Sequence, residues 1–248
     1  MKLVNFKLIA LFVVSYSLAL IAFTPLSWLM PMVEPKLNAQ AISTSAVHGN
    51  IWRGQAIVRS RYVSEVNLSW RLKPAGMLLF KLPIELSVTS NDMDLHGLVS
   101  LSPFSVSVAD LSGYLDERAA LPIYSRYGVK ISGRLQLDAV SADMSWSQKL
   151  GDASGSMSWS GGPLSLPVGR STQNYEVPTM FGELSSDETQ WLVSVLGSKQ
   201  QEYIRANLTR EGMGTLSVKR QLATEMNIPV PGNGSSLIDI SQQVLNGQ

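Results

Sequence analysis

Residues 66–73, Val66-Asn67-Leu68-Ser69-Trp70-Arg71-Leu72-Lys73, decide the fold class. Apolar and polar side chains alternate one for one. Successive side chains of an extended chain point to opposite sides, so the segment reads as a strand with one apolar and one wet face. The same pattern recurs outward from it. Ile84, Leu86 and Val88 alternate with Glu85, Ser87 and Thr89, and Phe104, Val106 and Val108 with Ser105, Ser107 and Ala109. Val129, Ile131, Leu135 and Leu137 alternate with Lys130, Ser132, Arg134 and Gln136. Met144 and Trp146 do so with Ser145 and Ser147, and Met157 and Trp159 with Ser158 and Ser160. Residues 191–196, 203–209 and 215–219 read as further strands.

One-sided strands exclude a parallel sheet covered on both faces. The expected fold is all-β: a single N-terminal transmembrane helix followed by a largely antiparallel, meander-type β domain, either a sandwich or an open groove. Turns are expected at Gly76, Gly113, Gly151, Gly161-Gly162 and Gly212. Helical patterning in the domain is confined to Leu115–Tyr127 and Ser236–Leu245. A faint echo links Gly97-Leu98-Val99-Ser100-Leu101 to Gly133-Arg134-Leu135-Gln136-Leu137 and to Gly214-Thr215-Leu216-Ser217-Val218, as tandem meander units would.

Charged residues make up 16% of the 248, against roughly 25% in soluble proteins. Serine, threonine, asparagine and glycine fill the gap and favour strands and turns over helices. The net charge is +1 and no Lys/Arg run occurs, which argues against a nucleic-acid partner. The absence of cysteine excludes disulfides, thiolate catalysis and cysteine-based metal sites.

No charge occurs from Leu8 to Val33. A bilayer core takes about 20 helical residues, and Leu8–Trp28 supplies them, with Lys2 and Lys7 before it. The positive-inside rule places this N-terminus in the cytoplasm, with Trp28 in an interfacial belt. Pro25, Pro31 and Pro35 are expected to end the helix. Ala39-Gln40-Ala41 resembles a cleavage site but lies too far from the apolar run for a signal peptide. The expected organisation is a cytoplasmic tail over 1–7, a transmembrane helix over 8–30 and a linker over 31–48. A β domain over 49–228 and a Pro/Gly linker with a short C-terminal helix over 229–248 complete it.

Catalytic patterns are missing. His48 and His96 have no HxH or HExxH partner, and neither a G-x-S-x-G elbow nor a phosphate-binding glycine loop occurs. Asp92 and Asp94 read as solvated, and Glu183, Asp187 and Glu188 as acids of a polar connector. No catalytic residue, cofactor or metal is expected. Trp52, Trp70, Trp146, Trp159 and Trp191 fall on apolar phases and are expected in the core.

Gly49-Asn50-Ile51-Trp52-Arg53-Gly54 resembles the G-x-[LI]-W-x-G motif that follows the anchor in type II secretion system protein N, an inner-membrane component of the general secretion pathway. Leu68-Ser69-Trp70-Arg71-Leu72-Lys73-Pro74 resembles that family's next strand, with Met77-Leu78-Leu79 after it. Gly133-Arg134-Leu135-Gln136-Leu137-Asp138 and Gly155-Ser156-Met157-Ser158-Trp159-Ser160 are similar to its later strands. The likeness runs to about Gly162. It implies structural roles for Gly49, Trp52, Gly54, Trp70, Pro74, Gly133 and Trp159, with Trp52 plugging the membrane-proximal end of the core. It also implies a non-catalytic role in exporting folded proteins across the outer membrane. The bulk of the chain would be periplasmic, and its partners would be the inner-membrane bilayer and other secretion-system proteins. The anchored, one-sided strands also resemble AsmA-type proteins, whose open apolar grooves imply lipid binding or transfer.

Overall fold

The computed structural model describes residues 8–13, 15–16, 23–39, 41–60, 65–74, 76, 80–124, 128–168, 171–229, 232 and 234–245. Residues 8–13 and 15–16 are helical, the backbone is non-helical at Thr24 and Pro25, and helix α1 covers Leu26–Ala39. No described helix is long and apolar enough to cross a membrane. Part of the expected span, 14 and 17–22, lies outside the described residues. Pro31 and Pro35 do not end the helix but lie inside α1. Four residues apart, they share one side of it, and each removes one backbone hydrogen bond without stopping it.

Strand β1 (Ile42–Gly49) starts inside the expected linker. It is followed by β2 (Arg53–Ser60), β3 (Val66–Leu72), β4 (Leu82–Thr89), β5 (Met93–Leu101) and β6 (Ser105–Asp116). Helix α2 (Glu117–Tyr124) occupies part of the stretch expected to be helical. Then come β7 (Lys130–Ile131), β8 (Arg134–Ser145), β9 (Leu150–Trp159), β10 (Gly162–Val168), β11 (Ser171–Val177) and β12 (Met180–Ser186). The chain continues with β13 (Gln190–Gly197), β14 (Glu202–Thr209), β15 (Met213–Lys219), α3 (Arg220–Glu225) and β16 (Ser236–Gln243). Gly113 and Gly151, expected in turns, lie inside β6 and β9.

Thirteen strands form one antiparallel sheet in the order β1-β2-β3-β4-β5-β6-β8-β9-β12-β13-β14-β15-β16. The other three form a small sheet, β11-β10-β7. Sheet order follows chain order throughout, as a meander requires. Among the described residues β1 and β16 do not pair, so the large sheet has two edges.

Alternation gives most strands of the large sheet one apolar side, and the register puts those sides together. One cross-strand row reads Ala56, Leu68, Val88, Leu95, Gly113, Leu137, Met157, Gly182, Val195, Ile204, Val218, Ile238. It crosses twelve strands without a polar side chain. At about 4.8 Å per strand the row extends roughly 50 Å.

Bulges crease the sheet across its middle, where the register shifts in β5/β6, β6/β8 and β8/β9. Asp110 and Ala139 take positive φ there, +53° and +49°. Their N–H groups donate to Ser141 Oγ and Ser112 Oγ at 3.1 and 2.9 Å. Bulges bend strands and increase their twist, so the crease curls the sheet.

The two ends of the strands differ. At the near end, where α1 meets β1, lie α2, α3 and the small sheet. Val66, Met93, Ala119, Val177, Tyr203, Ala223 and Met226 are buried there. Ala119 of α2 packs with Val66 and Met93, and Val58, Val88 and Leu115 adjoin them. At the far end Phe104 and Trp146 are exposed in connections, contrary to their expected place on buried phases. Both stand just outside the strands whose alternation they continue.

The tail departs from expectation. Residues 236–243 form β16 on the edge of β15 and no helix. Ile238 and Ile240 alternate with Asp239 and Ser241. β-branched residues favour strands, the segment is too short for a stable helix in water, and β15 offers it a full ladder.

Candidate functional site

The Gly49–Gly54 segment makes the turn between β1 and β2. Asn50 Oδ1 accepts hydrogen bonds from the N–H groups of Trp52 and Arg53 at 3.0 and 3.1 Å. This is the side-chain-stabilised turn that asparagine favours. Gly49 has φ +100°, and a Cβ there would sit 2.3 Å from the Arg53 carbonyl oxygen. Gly54 is needed for a different reason. A Cβ on it would lie 2.3 Å from the Trp70 ring, which covers this glycine. The Trp70 indole N–H donates to the Asn50 carbonyl at 3.3 Å. The turn lies at the far end of β1, opposite α1. Trp52, half-buried, therefore does not plug the end of the sheet next to the N-terminal helix.

Gly133 and Trp159 repeat the device. Gly133 has φ +132°, and a Cβ on it would lie 2.6 Å from the Trp159 ring. Two segments that sequence reading could only align as motifs thus share one physical element, a tryptophan lying over a glycine on the neighbouring strand. Pro74 stands just past β3, where a missing N–H costs no ladder bond. The seven motif residues do not converge on one point.

Three of them, Gly49, Gly54 and Trp70, border a cleft of ≈ 770 Å³ on β1–β6, together with Arg53. Its floor includes the row Gln55, Ser69, Ser87 and His96. His48 stands opposite Gln55, so both histidines of the chain line this cleft. They are four strands apart, about 19 Å along the sheet, too far to share a metal. Among the described residues no group of three potential metal ligands occurs.

The adjoining row is Arg53, Arg71 and Glu85. Two arginines face each other directly, an unfavourable pair on its own. Glu85 offsets part of it. Its carboxylate lies 2.6 Å from Lys73 Nζ and 3.8 Å from Arg71. The hydrogen bond from Lys73 holds the Glu85 carboxyl below its ordinary range, and Arg71 adds to the shift. Among the described residues Arg53 has no ion-pair partner. The lining therefore carries Arg53, Arg71 and Lys73 against Glu85 and Asp110. Guanidinium and ammonium groups beside hydroxyls can hold an anionic group by charge and hydrogen bonds.

Covalent chemistry needs more than this. His96 stands across from Ser87, yet among the described residues no hydrogen bond joins them and no carboxylate orients the imidazole. Sequence reading treated the histidines as isolated and did not group the three cations. The polar phase of Arg53, Arg71 and Lys73 was legible, but their meeting depends on the register of β2, β3 and β4.

Residues 40–233 match the family model described as type II secretion system (T2SS), protein N. No curated protein and no solved structure matches the chain.

Proposed function

The chain belongs to the type II secretion system protein N family, and from that membership we propose that it is a non-catalytic inner-membrane component of the general secretion pathway. It would assist the export of folded proteins across the outer membrane through contacts with other secretion-system proteins. The match over residues 40–233 carries this reading. The charge-free run from Leu8 to Val33, with Lys2 and Lys7 before it, supports an inner-membrane anchor with the β domain in the periplasm. Deleting the gene should leave folded export substrates in the periplasm. Unchanged amounts in the medium would remove the reading. A reporter active only in the periplasm, fused after Gln248, should be active, and activity of a cytoplasmic reporter alone would reverse the topology.

A second reading rests on a separate observation. The twelve-strand apolar row is longer than any packed element laid over it, and many of its side chains are only half-buried. Such a face suits acyl chains, so lipid binding or transfer is the alternative. Native mass spectrometry of the detergent-purified full chain should then show co-purifying phospholipid. A lipid-free spectrum counts against this role.

A further inference from the structure

Phe80, Phe104 and Trp146 are 80%, 81% and 58% exposed. They stand on three neighbouring far-end connections, β3–β4, β5–β6 and β8–β9. Hydrogen bonds hold Phe104 and Trp146 in place. Phe80 has φ +54°, a strained conformation for a bulky residue. Ser102 Oγ accepts the N–H groups of Phe104 and Ser105 at 3.2 and 2.9 Å, which fixes the turn beneath Phe104. The Trp146 backbone N–H donates to the Phe104 carbonyl at 3.0 Å, and its indole N–H to the Ser102 carbonyl at 2.8 Å. With that N–H already bonded, the indole can enter an apolar phase without leaving a donor unpaired.

Charge is divided along the same end. Residues 73–81, 102–104 and 146–149 contain Lys73, Lys81 and Lys149 and no acid. Lys73 is engaged by Glu85, which leaves Lys81 and Lys149 beside the aromatics. The next connections, 187–189 and 210–212, carry Asp187, Glu188 and Glu211 against a single cation, Arg210. Rigid aromatics flanked by lysines, with the acids set apart, match the chemistry of an anionic membrane interface.

We propose that this part of the far end binds the interface of a bilayer containing anionic phospholipid. Phe80, Phe104 and Trp146 enter among the headgroups, and Lys81 and Lys149 pair with phosphates. The inference concerns a membrane met by the far end and is separate from either functional reading; the proposed N-terminal anchor serves only to hold the chain in the nanodisc of the test.

The test uses the full chain held in phosphatidylcholine nanodiscs. These are mixed with acceptor vesicles of phosphatidylethanolamine and phosphatidylglycerol and separated by flotation. The wild type should float with the vesicles. The combined Phe80→Ser, Phe104→Ser and Trp146→Ser variant should be captured about tenfold less, as expected when interfacial apolar anchors are lost. Lys81→Gln with Lys149→Gln should abolish the preference for phosphatidylglycerol over pure phosphatidylcholine. A wild type that captures no vesicles overturns the proposal and turns the surface over to a protein partner. Equal capture by wild type and triple variant overturns it as well. A second measurement avoids loss of fold in the variants. The chain has no cysteine, so Ser147→Cys can carry a single environment-sensitive fluorophore beside Trp146. Its emission should rise and shift to the blue when vesicles are added, and unchanged emission sinks the proposal.

Discussion

The near and far ends of the large sheet are made by the same thirteen strands, yet only the near end is sealed. There, three connections lengthen into α2, the β7–β10–β11 sheet and α3, and these bring Ala119, Val177, Ala223 and Met226 over the apolar side. The far end has shorter connections and carries no such cover over Phe80, Phe104 and Trp146, although Leu150 is buried and Trp70 is packed over Gly54 there. Apolar residues therefore play two parts in one sheet. At one end they hold the fold together, and at the other Phe80, Phe104 and Trp146 stand exposed. Burial separates the two parts, and hydrophobicity alone does not.

The largest expected effect lies at the near end. Tyr203 is 1% exposed, and its hydroxyl accepts a hydrogen bond from Gln201 at 2.7 Å. Tyr203→Ala should destabilise the domain by roughly 3–5 kcal/mol in chemical unfolding. A loss below about 1 kcal/mol, far under that range, would show that the near end is not the core. Gly113→Ala comes next. Gly113 has φ +131°, and a Cβ would sit 1.9 Å from the Asp94 carbonyl oxygen. Strain of this kind costs about 1–3 kcal/mol, and unfolding midpoints should show it, while Gly232→Ala, which shares a positive φ (+89°) but among the described residues meets only the Arg220 side chain at 3.8 Å, stays milder.

At the far end the same measurement should find little. Phe104→Ser is expected to change stability by no more than about 0.5 kcal/mol, the usual span for exposed positions. A larger loss would mean that the far end is packed, and the contrast would fail.

The smallest effect is confined to one far-end turn. Asp187 accepts hydrogen bonds from the Thr189 hydroxyl and N–H and from the Gln190 N–H. Those bonds, the Thr189 hydroxyl first, lower its carboxyl from 3.8 to about 2. The folded state thus favours the ionised form. Whatever this adds to the β12–β13 turn is present above the unfolded value and is lost as pH falls through about 2. An NMR titration should place the Asp187 midpoint near 2, and Thr189→Ala should raise it. A midpoint at the ordinary aspartate value would mean that the turn does not hold the carboxylate.

Period-two alternation made the all-β meander legible, because it depends only on where side chains point. Register was not legible, and register is what assembles the twelve-residue row and gathers Arg53, Arg71 and Lys73 with the two histidines. The tail was misread because Leu237, Ile240 and Val244 fit a helical stripe while Ile238 and Ile240 fit a strand. A free edge on β15 decides between them, and no local pattern contains that edge. Trp146 and Phe104 were expected inside because alternation does not say where a strand stops. Gly54 and Gly133 read only as members of motifs, although each is small because a tryptophan from the next strand lies on it.

The meander also has a consequence for how such a sheet forms and changes size. Nearly every strand pairs with the strand before and after it in the chain. Low sequence separation between contacting segments favours fast folding, and a ladder of nearest neighbours can grow from any hairpin already formed. A further hairpin inserted at a far-end connection would pair with its two neighbours and leave every other register untouched. Each such insertion would widen the apolar row by about 10 Å. The reach of the sheet is thus a matter of counting hairpins, whereas its sealed end is made once.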